Sequence, residues 1–94
     1  MNAKVVHCRR EKFDVYIGRP SKWGNPFRIG CDGTRAEVID KHEEWLLGII
    51  PAPNGEKVPS LKEAKRELTG KRLGCFCSPL PCHGDNLLRF INPL

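Results

Sequence analysis

The residues best suited to chemistry crowd into one short stretch near the C-terminus, Cys75-x-Cys77-x-x-x-x-Cys82-His83, followed by Gly84 and Asp85. Three thiols and an imidazole serve either nucleophilic catalysis or a soft metal ion. On a strand, Cys75 and Cys77 share a face about 6.5 to 7 Å apart, and a turn can return Cys82 or His83 toward Cys77. If a helix starts near Asp85, Cys82 and His83 stand at its N-terminus beside the carboxyl edge of a sheet, where α/β domains take ligands. Free backbone N–H groups there favour an anion and lower a thiol's pKa, which assigns Cys82, or Cys77, as nucleophile and His83 as general acid/base. The competing assignment makes Cys75 a small buried hydrophobe and leaves His83 and Asp85 to cap the helix. As a zinc site the same stretch offers Cys75, Cys77, Cys82 and His83. The C-x-C spacing departs from the common C-x-x-C knuckle, however, and adjacent Cys82 and His83 must diverge, so the expectation is no bound metal and no cofactor.

A second cluster lies in Gly18-Arg19-Pro20-Ser21-Lys22-Trp23-Gly24-Asn25-Pro26-Phe27-Arg28. Arginine and lysine hold phosphate, Trp23 can stack on a base, and Gly24-Asn25 permits close backbone approach. The same loop also reads as a rigid cover in which Trp23 and Phe27 pack on a small core. Asp32-Gly33-Thr34-Arg35 adds Thr34 and Arg35; a cation in a first helical turn opposes the dipole, so a phosphate or carboxylate partner would account for it. The candidate ligand-binding residues are thus Arg19, Trp23, Asn25, Thr34, Arg35 and Asp85, with Cys82 and His83 as catalytic candidates. His42 reads as a satisfied core histidine.

These residues need positioning elements. Lys4 to Cys8 is Val-rich and strand-like, and Phe13 to Ile17 reads as a second strand closed by Gly18. Gly, Pro, Asn and Asp punctuate a long ordered loop from Arg19 to Gly33. Thr34 to Ile50 carries helical periodicity, with Val38, Ile39, His42, Trp45, Leu46, Ile49 and Ile50 on one stripe and a capping box from Thr34 to Glu37. Ser60 to Glu63 is a second capping box, opening a short helix that stops at Thr69-Gly70. Arg72 to Cys77 reads as a strand buried on both faces, a turn runs through Ser78, Pro79 and Pro81, and a terminal helix ends at Asn92-Pro93. The expected architecture is a single α/β domain over residues 1–94, in the order β-β-α-α-β-α, with a short central sheet packed by helices.

Composition bounds the rest. A chain of 94 residues builds one modest core, and its longest apolar run, Trp45 to Ile50, is far short of the roughly 18 residues that span a bilayer. The start of the chain lacks the zones of a secretory signal, so the expected compartment is cytoplasmic. Five cysteines are an odd number, better suited to thiol chemistry than to a disulfide framework. A formal charge of +5 suits a polyanionic partner or a bound nucleotide.

The chain resembles a small uncharacterised domain family of bacteria and tailed phages. The resemblance rests on Tyr16-Ile17-Gly18-Arg19 with Trp23-Gly24-Asn25-Pro26-Phe27, on Asp32-Gly33-Thr34-Arg35, and on Gly70 to Cys77 with Pro79 and Pro81-Cys82-His83-Gly84-Asp85. It spans nearly the whole chain and implies a phage-type or prophage-type accessory protein without supplying a reaction. Strand, Cys-containing turn, Cys-His and helix are also similar, over a short stretch, to the end of another uncharacterised α/β family. The first resemblance favours treating the three pieces as one site at a sheet edge for a nucleotide-like or other phosphate-bearing ligand, or a nucleic-acid base. The alternative is a non-enzymatic interaction module for nucleic acid or a host protein, stabilised by zinc at the Cys/His cluster. No membrane partner is expected, and no apolar seam specifies an oligomer.

Overall fold

The computed structural model describes residues 3–77 and 80–92. The turn expected at Ser78 and Pro79, the Met1-Asn2 start and Pro93 lie outside the described residues. The elements run β1 (Lys4–His7), β2 (Val15–Tyr16), α1 (Arg35–Leu46), α2 (Leu61–Leu68), β3 (Arg72–Cys75) and α3 (His83–Ile91), the expected order. Three parallel strands form a sheet in the order β1-β3-β2, packed by the three helices.

β3 lies in the middle, pairing Lys4 to His7 with Arg72 to Cys75 on one side and Val15 and Tyr16 with Leu73 and Gly74 on the other. A central parallel strand is covered on both faces, which explains its small and apolar residues. The chain between β1 and β2 crosses that sheet without a helix. Phe13 lies on Gly74, where a Cβ would come within 2.6 Å of the ring, so glycine makes this crossing possible. α3 packs equally close to the sheet: a Cβ on Gly84 would meet Val5 and Ile17 at 2.7 and 2.8 Å.

The core joins Val6, Ile17, Leu73 and Leu87 to Trp45, Ala64 and Leu68, with α3 packed against α1, α2 and β1. Trp45 is buried and its indole N–H donates to the Glu56 carbonyl at 3.2 Å, tying the Pro-rich connection to α1. No helix among the described residues is long and apolar enough to cross a membrane.

Several boundaries differ from expectation, β1 ending at His7 rather than Cys8. α1 ends at Leu46 rather than Ile50, because Gly48 takes a left-handed φ of 77° and closes the helix. Ile49 is consequently exposed rather than on the buried stripe. β2 covers only the last part of Phe13 to Ile17, and β3 stops at Cys75, so Phe76 turns to solvent instead of lying within a doubly covered strand. The Thr34–Glu37 capping box is complete. At α2 only the Ser60 half forms, the Glu63 carboxylate taking Lys22 Nζ at 2.8 Å together with Glu67.

Candidate functional site

All three strands end at the same sheet edge, and there β2 runs into the Gly18–Arg28 loop while β3 runs into the Cys-rich turn. Between them lies a cavity of about 600 Å³. Arg19, Asn25, Arg35, Cys75, Cys77, Cys82 and His83 all line it, so pieces of chain far apart in sequence converge on one concave surface. Tyr16, Phe27, Arg28 and Phe76 line it as well. Arg28 and Phe76 are not among the expected site residues. Arg28 closes the Gly18–Arg28 cluster, a signal present in the sequence, whereas Phe76 is legible only once β3 is known to end at Cys75.

The cavity's electrostatics are one-sided. Among the described residues no Asp or Glu lines it, and none of the ion pairs engages Arg19, Arg28 or Arg35. Arg35 Nη1 lies 3.4 Å from the Pro81 carbonyl, which draws the α1 start to the Cys-rich turn, and Arg19 Nη1 donates to the Asn25 carbonyl at 3.3 Å.

Other expected ligand-binding residues are spent on structure. Trp23 is 3% exposed, with Lys22 Nζ over its ring at 5.0 Å, and it does not line the cavity; its place is in the core. The exposed Phe76 ring lines the cavity instead, edge-on to Tyr16 at 6.2 Å and to His7 at 6.1 Å, with the Arg9 guanidinium 5.5 Å from its centre. The Asn25 side chain brackets the loop, donating to the Val38 carbonyl and accepting from the Phe27 N–H. Thr34 caps α1 and Asp85 completes a capping box with Cys82, and neither lines the cavity.

The Cys-His pair departs furthest from expectation. Cys82 is the buried N-cap of α3 and its Sγ accepts from the Gly84 N–H at 3.3 Å. Proximity to a helix N-terminus argues for a lowered pKa, yet contact with Cys75 and burial push this thiol well up, outweighing the Gly84 N–H. The balance of contacts at Cys82 thus favours the thiol over the thiolate. His83 donates from Nε2 to the Ile17 carbonyl at 2.8 Å, since a carbonyl only accepts, and this leaves its Nδ1 lone pair 3.5 Å from Cys82 Sγ. Burial and the nearby Arg19 hold its pKa below the usual value. The Ile17 contact fixes the ring so that Nδ1 faces Cys82 Sγ.

The Sγ atoms of Cys75, Cys77 and Cys82 lie within 4.8 Å of one another, those of Cys75 and Cys82 3.1 Å apart. Behind them His42 is fully buried, 5.2 Å from the His83 ring. Arg89 donates to Asn86 Oδ1, which fixes the amide orientation, so Asn86 Nδ2 donates to His42 Nδ1 at 3.0 Å. The His42 proton therefore sits on Nε2, which has no partner among the described residues. His42 is a half-satisfied core histidine, not the fully satisfied one expected.

Comparison with known proteins places these residues in a family setting. A relative from Enterobacteria phage T4, described as an uncharacterized 12.4 kDa protein in the nrdA-td intergenic region, is 37% identical over 92 residues, covering 97% of this chain and 79% of the relative. No solved structure matches. A family model described as a domain of unknown function (DUF4326) matches residues 2–93, and the chain belongs to that family.

Proposed function

We propose that this protein binds a small nucleotide-like ligand, an anionic phosphate joined to a planar base, in the cavity at the carboxyl edge of its sheet. The observation that carries this reading is the set Arg19, Arg28 and Arg35 in one cavity, with no carboxylate among its described lining residues and no ion pair to any of the three. Packing alone gives no reason to gather guanidinium groups around a hollow, and a phosphate accepts their planar forks bidentately. The volume of about 600 Å³ lies in the range of small-molecule sites. Phe76 and Tyr16 supply aromatic faces for a base. The topology agrees, since ligands of open parallel sheets sit outside the carboxyl ends of the strands. The reading stops at binding and assigns no reaction to Cys82 and His83, whose Sγ and Nδ1 lie 3.5 Å apart.

The test is thermal unfolding with a panel of nucleoside monophosphates, the parent nucleosides and inorganic phosphate. A monophosphate should raise the melting temperature with concentration, by the equivalent of about 2.7 kcal/mol at a hundredfold excess over Kd, and exceed its nucleoside or phosphate alone. Arg28→Ala should weaken that rise sharply while altering the unliganded stability by about 0.5 kcal/mol or less. No rise with any monophosphate contradicts the reading.

A further inference from the structure

We propose that Cys75, Cys77 and Cys82 form a three-thiolate site for a soft divalent metal ion, zinc by its chemistry, with the fourth coordination position turned toward the cavity. The expectation of no metal rests on the C-x-C spacing and on the adjacency of Cys82 and His83. Both obstacles are removed by the fold. β3 ends at Cys75 and the chain bends at Phe76 and Cys77, so the first two thiols are no longer held at the same-face spacing of a continuous strand. Cys82 and His83 need not both be ligands: the thiol joins the other two, while His83 turns Nε2 to Ile17 and keeps Nδ1 3.5 Å from Cys82 Sγ.

The spacing fits one shared ion. Two sulfurs on a tetrahedral zinc, each about 2.3 Å from it, are about 3.8 Å apart. The three sulfurs here lie within 4.8 Å of one another, and the nearest two are 3.1 Å apart. A disulfide between Cys75 and Cys82 would engage two thiols and leave Cys77 beside them without a part. Soft thiolate sets select zinc or Cu(I) over the hard oxygen-seeking cations. Three thiolates around a divalent ion carry net negative charge, which the Gly84 N–H on Cys82 and the arginines of the same lining oppose. Because all three cysteines line the cavity, the ion would lie in its wall, with an open position for a phosphate oxygen or base nitrogen. Loading releases the thiol protons to solvent. The metal site stands on the sulfur geometry alone and does not depend on the nucleotide reading.

Reduced, metal-stripped protein titrated anaerobically with Co²⁺ reads the site directly, because each Co–S bond adds ultraviolet charge-transfer absorption. That absorption should saturate at about one ion per chain and vanish when Zn²⁺ is added. Cys77→Ser, chosen because Cys77 is half-buried whereas Cys75 and Cys82 are buried, should lower the intensity per ion by about a third and weaken binding about tenfold or more. Cys8→Ser, at a free thiol outside both the trio and the cavity lining, should change neither. In the wild-type protein Zn²⁺ should also slow iodoacetamide modification of Cys77 but not of Cys8, a readout that needs no variant. Absence of the cobalt–thiolate band, an undiminished band in Cys77→Ser, or equal alkylation rates with and without Zn²⁺ would overturn the proposal. Phosphate and nucleotides are left out, so failure here and failure of nucleotide binding are separate results.

Discussion

His42 shows how far a single side chain's role depends on contacts that one sequence cannot supply. Its place on an apolar stripe points correctly to burial, but the Asn86 partner comes from α3, 44 residues away. Burial, reinforced by the neighbouring His83, holds its pKa down to about 3 against an ordinary 6.5. Unfolded His42 therefore takes up a proton below about pH 6.5 that folded His42 refuses until about pH 3. Its contribution to stability is complete above pH 6.5 and is lost progressively as the pH falls through that window. The loss amounts to a few kcal/mol at the acid end, since keeping a proton off one group costs about 1.4 kcal/mol for every pH unit below its unfolded pKa. Between pH 6.5 and 5, above the range where most carboxylates titrate, His42→Gln should flatten the dependence of unfolding free energy on pH. His83, lowered in the same direction, should account for the remaining slope. An unchanged slope in His42→Gln would show that His42 is not held neutral. Residue identity is otherwise legible in kind rather than in role. Both Arg19 and Arg35 reach the cavity as their type suggests, whereas Trp23 and Asn25 are consumed by the loop they belong to.

Elements are legible wherever their signals are local. Thr34 with Glu37 forms a reciprocal cap that depends only on spacing, whereas at α3 the box joins Cys82 to Asp85 rather than the His83 and Asp85 expected to cap it. The failures lie where a distant partner competes: Glu63 leaves Ser60 for Lys22, a residue 41 positions away. α1 shows the same division, because the periodic stripe identifies its buried face but overruns Gly48, whose left-handed backbone stops it. The buried face makes a sharp prediction. Trp45→Ala should cost about 3 to 5 kcal/mol, for it removes a buried aromatic and orphans the Glu56 carbonyl. Leu47→Ala, two residues on and 63% exposed, should stay within about 0.5 kcal/mol. Chemical denaturation of both variants checks the assignment, and comparable costs would mean that the helix buries a different face.

At the scale of the whole molecule, the site is a consequence of strand order. Placing β3 between β1 and β2, all parallel, brings the loop after β2 and the turn after β3 to one edge, and the start of α1 closes over them through Arg35 and the Pro81 carbonyl. Sequence supplies the pieces and suggests that they meet; it cannot supply the β1-β3-β2 order, because both pairings of β3 join segments more than fifty residues apart. The same convergence draws three arginines to the cavity and three sulfurs into its wall. A second groove, lined by Glu43, Leu46, Leu47, Asn86, Arg89 and Phe90, lies between α1 and α3 and provides an internal control. The direct measurement is titration of ¹⁵N-labelled protein with a nucleoside monophosphate, followed by amide and arginine side-chain chemical shifts. The account predicts saturable shifts at Arg19, Arg28, Arg35 and Phe76 and unmoved signals at Leu47 and Phe90. Shifts confined to the second groove, or no saturable shift at the three arginines, would contradict it.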